Sequence, residues 1–120
     1  MKRVLVADDK ASSRELIRVV LEGSGYAVSE AGDGQEAVQI AHQIEPDAIL
    51  LDLHMPSLDG FGVLERLRAD PRFAALPIVA LTASAMQGDR EKALAAGFTS
   101  YISKPVPLKE LRAELARLLP

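Results

Sequence analysis

The chain has 120 residues and a net charge of −3 at pH 7, with 48% hydrophobic and 26% charged residues. That length and balance fit one globular domain with an ordinary core, exclude a disordered chain, and supply no basic footprint for direct nucleic-acid binding. It contains no cysteine, which excludes thiol catalysis, disulfides and thiolate metal sites; a cytoplasmic location fits.

Met1-Lys2-Arg3 lead into the apolar run Val4–Ala7, a strand pattern that meets Asp8-Asp9. The run is too short for a secretory signal, and no run anywhere approaches the roughly 18 residues of a membrane span. Leu16, Ile17, Val20 and Leu21 then give a helical face, closed by Gly23-Ser24-Gly25. Tyr26–Ala31 alternates apolar and polar residues, as a less buried strand does. Asp33 followed by Glu36 resembles a capping box, and Ala37, Ile40, Ala41 and Ile44 repeat at helical spacing until Pro46. Ala48–Leu51 is a continuous apolar strand ending at Asp52.

Asp59-Gly60 opens the next helix, with Phe61, Leu64 and Leu67 facing inward, and Asp70-Pro71 ends it. Gly60 is read here as a source of backbone freedom. Pro77 precedes the strand Ile78–Leu81, which ends at Thr82. Residues 86–96 read as a helix capped by the left-handed Gly97, with Met86 and Leu94 as its larger apolar anchors. Ser100–Ser103 is the last strand and ends at Lys104. Pro107 sits in the first turn of the last helix, whose stripe is Leu108, Leu111, Leu115 and Leu118. The result is five β-α pairs in one domain over residues 1–120, an α/β fold whose parallel strands are covered by helices on both sides.

In an open parallel sheet the carboxyl ends of the strands form the ligand crevice. Asp8, Asp9, Asp52, Thr82 and Lys104 all stand at such ends. One acid at a strand end is an ordinary turn former or cap. An adjacent pair joined by a third acid, a threonine and a lysine is another matter, because clustered carboxylates repel unless a hard cation or a lysine offsets them. That combination suits magnesium-assisted handling of a phosphoryl group.

These residues lie in Asp8-Asp9, Asp52-Leu53-His54-Met55-Pro56-Ser57-Leu58-Asp59-Gly60, Leu81-Thr82-Ala83 and Tyr101-Ile102-Ser103-Lys104-Pro105. In that order they resemble the receiver domain of two-component response regulators, over essentially the whole chain. The resemblance implies a flavodoxin-like (βα)5 three-layer sandwich with a parallel five-stranded sheet of order 2-1-3-4-5. It implies that Asp52 accepts a phosphoryl group from a phosphohistidine of a histidine kinase or histidine phosphotransfer protein. Magnesium would be held by Asp9, Asp52, the backbone carbonyl of His54 and, through water, Asp8. Lys104 and Thr82 would bind phosphoryl oxygens, and a cis Lys104-Pro105 bond would aim the lysine. Tyr101, by itself an ordinary half-buried strand aromatic, would follow Thr82 as a switch. A downstream protein partner is expected at the 83–119 face, without direct nucleic-acid or membrane contact.

Lys10 departs from the acidic or amide residue that receivers often carry there; a solvated helix-start lysine is the expected role. His42 is expected on an exposed helix side, unpaired with His54 as a zinc site. The main alternative is a phosphatase with an aspartyl-phosphate intermediate, of the haloacid dehalogenase type. Those enzymes place the nucleophile after the first strand, with a second Asp two residues on, whereas here position 54 is His. A nucleotide-binding module ranks lower, because the acidic corner repels phosphates. Two contexts stay open: a stand-alone receiver, or a domain of a longer protein such as the phosphate-relay receiver of a hybrid kinase.

Overall fold

The structure, a computed structural model, describes residues 1–83 and 89–120. Five parallel strands, β1 (Arg3–Ala7), β2 (Ala27–Ala31), β3 (Ala48–Asp52), β4 (Ile78–Thr82) and β5 (Ser100–Ser103), form one sheet of order β2-β1-β3-β4-β5. The helices are α1 (Ala11–Gly23), α2 (Gly34–Ile44), α3 (Gly60–Arg68), α4 (Asp89–Ala96) and α5 (Leu108–Leu118), with a 3-10 turn at Pro71–Phe73. Residues 86–88 of the expected fourth helix lie outside the described residues. No helix among the described residues is long and apolar enough to cross a membrane.

Alternation of side chains along each strand divides the core in two. Leu5, Ala7, Ile49, Leu51, Ile78 and Ala80 point to one face and pack with Ala37 and Ala41 of α2 and Val63, Leu64 and Leu67 of α3. Val4, Val6, Leu50, Val79, Leu81 and Ile102 point to the other and pack with Ile17 and Leu21 of α1 and Leu111 and Leu115 of α5. The central strands β3 and β4 are buried at every position, which is why they read as unbroken apolar runs. The edge strand β2 is only partly buried until Ala31. Each fully buried Leu contributes about 1.5–3 kcal/mol of transfer free energy.

Helix ends follow the local chemistry. Asp33 accepts the Glu36 amide at 2.8 Å, while Glu36 reaches back to the Gly32 amide at 3.0 Å, one residue before the position a capping box would use. Asp59 caps α3 through the Gly62 amide at 2.9 Å. Both α1 and α4 end on a left-handed glycine, Gly25 at φ 95° and Gly97 at φ 119°. The following amides, Tyr26 and Phe98, each donate to a carbonyl five residues back, at Leu21 and Ala93.

Three sequence expectations need correction. Leu16 is 55% exposed, and the inward face of α1 is carried by Ile17 and Leu21. Pro107 is the N-cap of α5, one residue before its first turn. Leu94 is 40% exposed; of residues 90–96, Ala93 alone is buried.

Candidate functional site

Four strands deliver the site residues to one edge. Asp8 follows β1, and its amide still donates to the Ala31 carbonyl at 3.1 Å, which continues the β1–β2 pairing by one residue. Asp52 and Thr82 are the last residues of β3 and β4. The Lys104 amide donates to the Thr82 carbonyl at 2.7 Å, so the lysine backbone is fixed by the strand that carries the threonine. The Lys104-Pro105 bond is cis, as expected.

Lys104 Nζ lies 2.8 Å from Asp8 Oδ2 and 2.8 Å from Asp52 Oδ2. Asp8 and Asp52 are nearly sealed from solvent, with side chains 0% and 6% exposed, and each has its second oxygen bound to a backbone amide. Asp8 Oδ1 accepts from the Lys10 amide at 2.9 Å, and Asp52 Oδ1 accepts from the His54 amide at 3.0 Å. Burial pulls the Lys104 pKa down, but the hydrogen bonds and charges of Asp52 and Asp8 outweigh it and leave it above the ordinary lysine value.

Asp9 completes the cluster from the exposed side. One oxygen from each of Asp8, Asp9 and Asp52 lies within 4.8 Å of the others. Three carboxylates outnumber one ammonium, so the cleft retains excess negative charge. An all-oxygen, partly open donor set of this kind suits a hard divalent cation that keeps some of its water. His42 stands apart, exposed on α2 with Nε2 3.4 Å from Asp70 Oδ2. Among the described residues, neither histidine belongs to a cluster that would hold a metal.

The loop beyond Asp52 is built tightly. Ser57 is left-handed at φ 66°. The Gly60 amide donates to the Leu53 carbonyl at 3.0 Å and brings the start of α3 against the end of β3. Gly60 is needed for this approach and not for backbone freedom, since its φ is not positive: a Cβ there would lie 2.7 Å from the Asp52 carbonyl oxygen. Beside Asp8 and Lys104 a cavity of about 370 Å³ opens between α1 and the turn into α5, lined by Leu16, Ile17, Pro105 and Leu108.

Tyr101 is half-buried on β5 and packs against the core face that includes Ala93 and Phe98. It pairs in register with Ala80, two residues before Thr82 on β4. Sequence reasoning missed Arg14, whose Nη1 donates to the Asp8 carbonyl oxygen at 2.6 Å. The available signal was a basic residue one turn into the helix that follows the acid pair.

The sequence pattern of the response regulator receiver domain matches residues 4–116. The chain belongs to this receiver family. It is 39% identical over 119 residues to the DNA-binding dual master transcriptional regulator RpaA of Synechocystis, an alignment that covers 99% of this chain and 49% of RpaA. The chain spans about half the length of most curated relatives it matches. The Vibrio cholerae chemotaxis protein CheY4 superposes with a TM-score of 0.92 at 32% identity, covering 99% of each chain. The receiver domain of a sensor histidine kinase from Pseudomonas aeruginosa superposes with a TM-score of 0.89 at 38% identity, covering 98% of this chain and 96% of that one. That structure has a magnesium ion coordinated in its active-site cleft. Receivers are signalling switches and not enzymes of many turnovers, and the phosphatase alternative is not favoured. The strand order that the resemblance implied is the order observed.

Proposed function

We propose that the chain is a single receiver domain over residues 1–120 that works as a phosphoacceptor switch, with Asp52 as its phosphorylation site. The observation that carries this reading is the double ion pair of Lys104 with Asp8 and Asp52, with Asp9 in reach of both acids. Asp52 stands at the cleft, and its Oδ1 is fixed by the His54 amide. In the reaction, a carboxylate oxygen of Asp52 attacks the phosphorus of a phosphohistidine on a histidine kinase or phosphotransfer protein. The P–O bond forms as the P–N bond breaks, and the imidazole leaves and takes its proton from solvent. The product is an acyl phosphate.

The residues fit magnesium, which Asp9, Asp52 and the His54 carbonyl would hold directly and Asp8 through water. When bound it supplies charge neutralisation for the incoming anion. Lys104 then exchanges its carboxylate partner for a phosphoryl oxygen, a step suited to a flexible point charge. Thr82 donates its hydroxyl to a second oxygen, and the Ala83 amide offers a further donor. Movement of Thr82 opens space beside β4 for Tyr101, and the 83–119 face becomes the surface that a protein partner reads. Such a partner must bind one conformer better than the other, or no signal passes.

A second reading is a relay receiver that hands its phosphoryl group to another histidine; the similarity to a receiver of a sensor histidine kinase favours it. Incubation with a small acyl-phosphate donor and magnesium tests the assignment by intact-mass measurement. One phosphoryl group is expected on the wild type and none on Asp52→Asn. Stoichiometric labelling of the variant at the wild-type rate would sink it.

A further inference from the structure

Arg14 stands on α1 and turns back over the end of β1. Its Nη1 donates to the Asp8 carbonyl oxygen at 2.6 Å, and its Nε donates to Glu30 Oε1 at 3.2 Å on the edge strand. The side chain is 19% exposed. The other Glu30 oxygen lies 3.1 Å from Arg18 Nε, so both oxygens of this carboxylate are engaged. Asp8 lies past the last residue of β1, where the ladder no longer provides a carbonyl partner as a matter of course. The carbonyl that Arg14 holds belongs to the peptide linking Asp8 to Asp9. On its other side the Lys10 amide is tied to Asp8 Oδ1.

Adjacent carboxylates repel, and a loose turn would let them splay apart. A cation gripping the peptide between them counters both effects: it fixes the direction in which each side chain leaves the backbone, and it lowers the local negative potential. The planar guanidinium fork spans a carbonyl and a carboxylate at once, which an ammonium does with poorer geometry. We propose that Arg14 is a positioning residue that presets the Asp8-Asp9 pair for its cation. This rests on the metal reading given above and goes beyond it by assigning the group that holds the ligands in place. Outer partners of this kind tune ion affinity without touching the ion.

The experiment is a calorimetric magnesium titration of the wild type, Arg14→Met, Arg14→Lys and Arg68→Met, with amide exchange at Lys10 followed in metal-free protein. Arg68→Met is the control for general destabilisation, because Arg68 donates to the carbonyls of Phe73, Leu76 and Gly97, outside the acid cluster. Arg14→Met is expected to bind magnesium about 10-fold more weakly, with Arg14→Lys between it and the wild type. Arg68→Met should stay within about twofold of the wild type. Exchange at the Lys10 amide should quicken in Arg14→Met with no metal present; if that variant does not fold, Arg14→Lys should show the same changes in smaller degree. Unaltered affinity in both Arg14 variants, or an equal loss in Arg68→Met, overturns the proposal. A wild type that binds no magnesium would overturn the metal reading instead, and unchanged Lys10 exchange would then overturn the positioning role by itself.

Discussion

Gly60 presses against the backbone of Asp52 so closely that a methyl group on it would sit 2.7 Å from the Asp52 carbonyl oxygen and 2.8 Å from Leu53 Cα. Neither atom belongs to a flexible side-chain end, so the strain of any side chain passes into the strand terminus that carries the central acid. Gly60→Ala is expected to cost about 1–3 kcal/mol of stability by overpacking and to slow phosphorylation of Asp52. Urea denaturation beside a labelling time course checks both. A variant as stable as the wild type would mean that α3 moves away without cost.

Lys104→Met leaves two buried carboxylates without the ammonium between them. The expected loss is about 1–3 kcal/mol at neutral pH. Its pH dependence follows from the raised Lys104 pKa, which means that the native state holds this proton more tightly than the unfolded chain does. The contribution is therefore fully present below the ordinary lysine pKa of about 10.4, and it disappears as pH rises through the higher folded value. Denaturation midpoints of wild type and variant should converge as the solution becomes strongly alkaline. Parallel curves through that range would show that the ammonium adds nothing to stability.

Asp9→Ala should weaken magnesium binding far more than Lys10→Ala. The first removes an oxygen ligand; the second removes an exposed charge whose backbone amide, the part that touches Asp8, remains. Affinity for the wild type should also fall with pH, since the acids coordinate as carboxylates. Equal losses in the two variants would mean that the ligands have been misassigned.

Helix α4 is the element most open to rearrangement. Among residues 90–96 only Ala93 is buried, so little apolar surface holds the helix to the sheet. With magnesium and a stable phosphoryl mimic, amide exchange should change most at Thr82 and across residues 89–101. A response confined to residues 52–60 would leave a relay without conformational output as the better account.

The central strands were legible because doubly buried strands leave unbroken apolar runs, and the candidate site was legible because its residues stand directly at strand ends. Leu16 was misread for a local reason. Leu16, Ile17, Val19, Val20 and Leu21 crowd one stretch of α1, so periodicity alone could not say which side meets the sheet. Gly60 and Arg14 were illegible for a different one. Their roles depend on the carbonyls of Asp52 and Asp8, and which backbone atom a side chain meets is set by tertiary packing. The strand order came from the family resemblance, since alternating elements are compatible with several orders.

The lysine that joins Asp8 to Asp52 lies 96 residues from the first and 52 from the second. A growing chain that has reached only β4 carries the three acids of the cleft with no lysine between them, and their repulsion works against the sheet that brings β1 beside β3. Docking of β5 sets one ammonium between Asp8 and Asp52 and offsets part of that repulsion. The pairing of the acids thus waits for β5, and a truncated chain ending before β5 would carry Asp8 and Asp52 without the lysine that joins them.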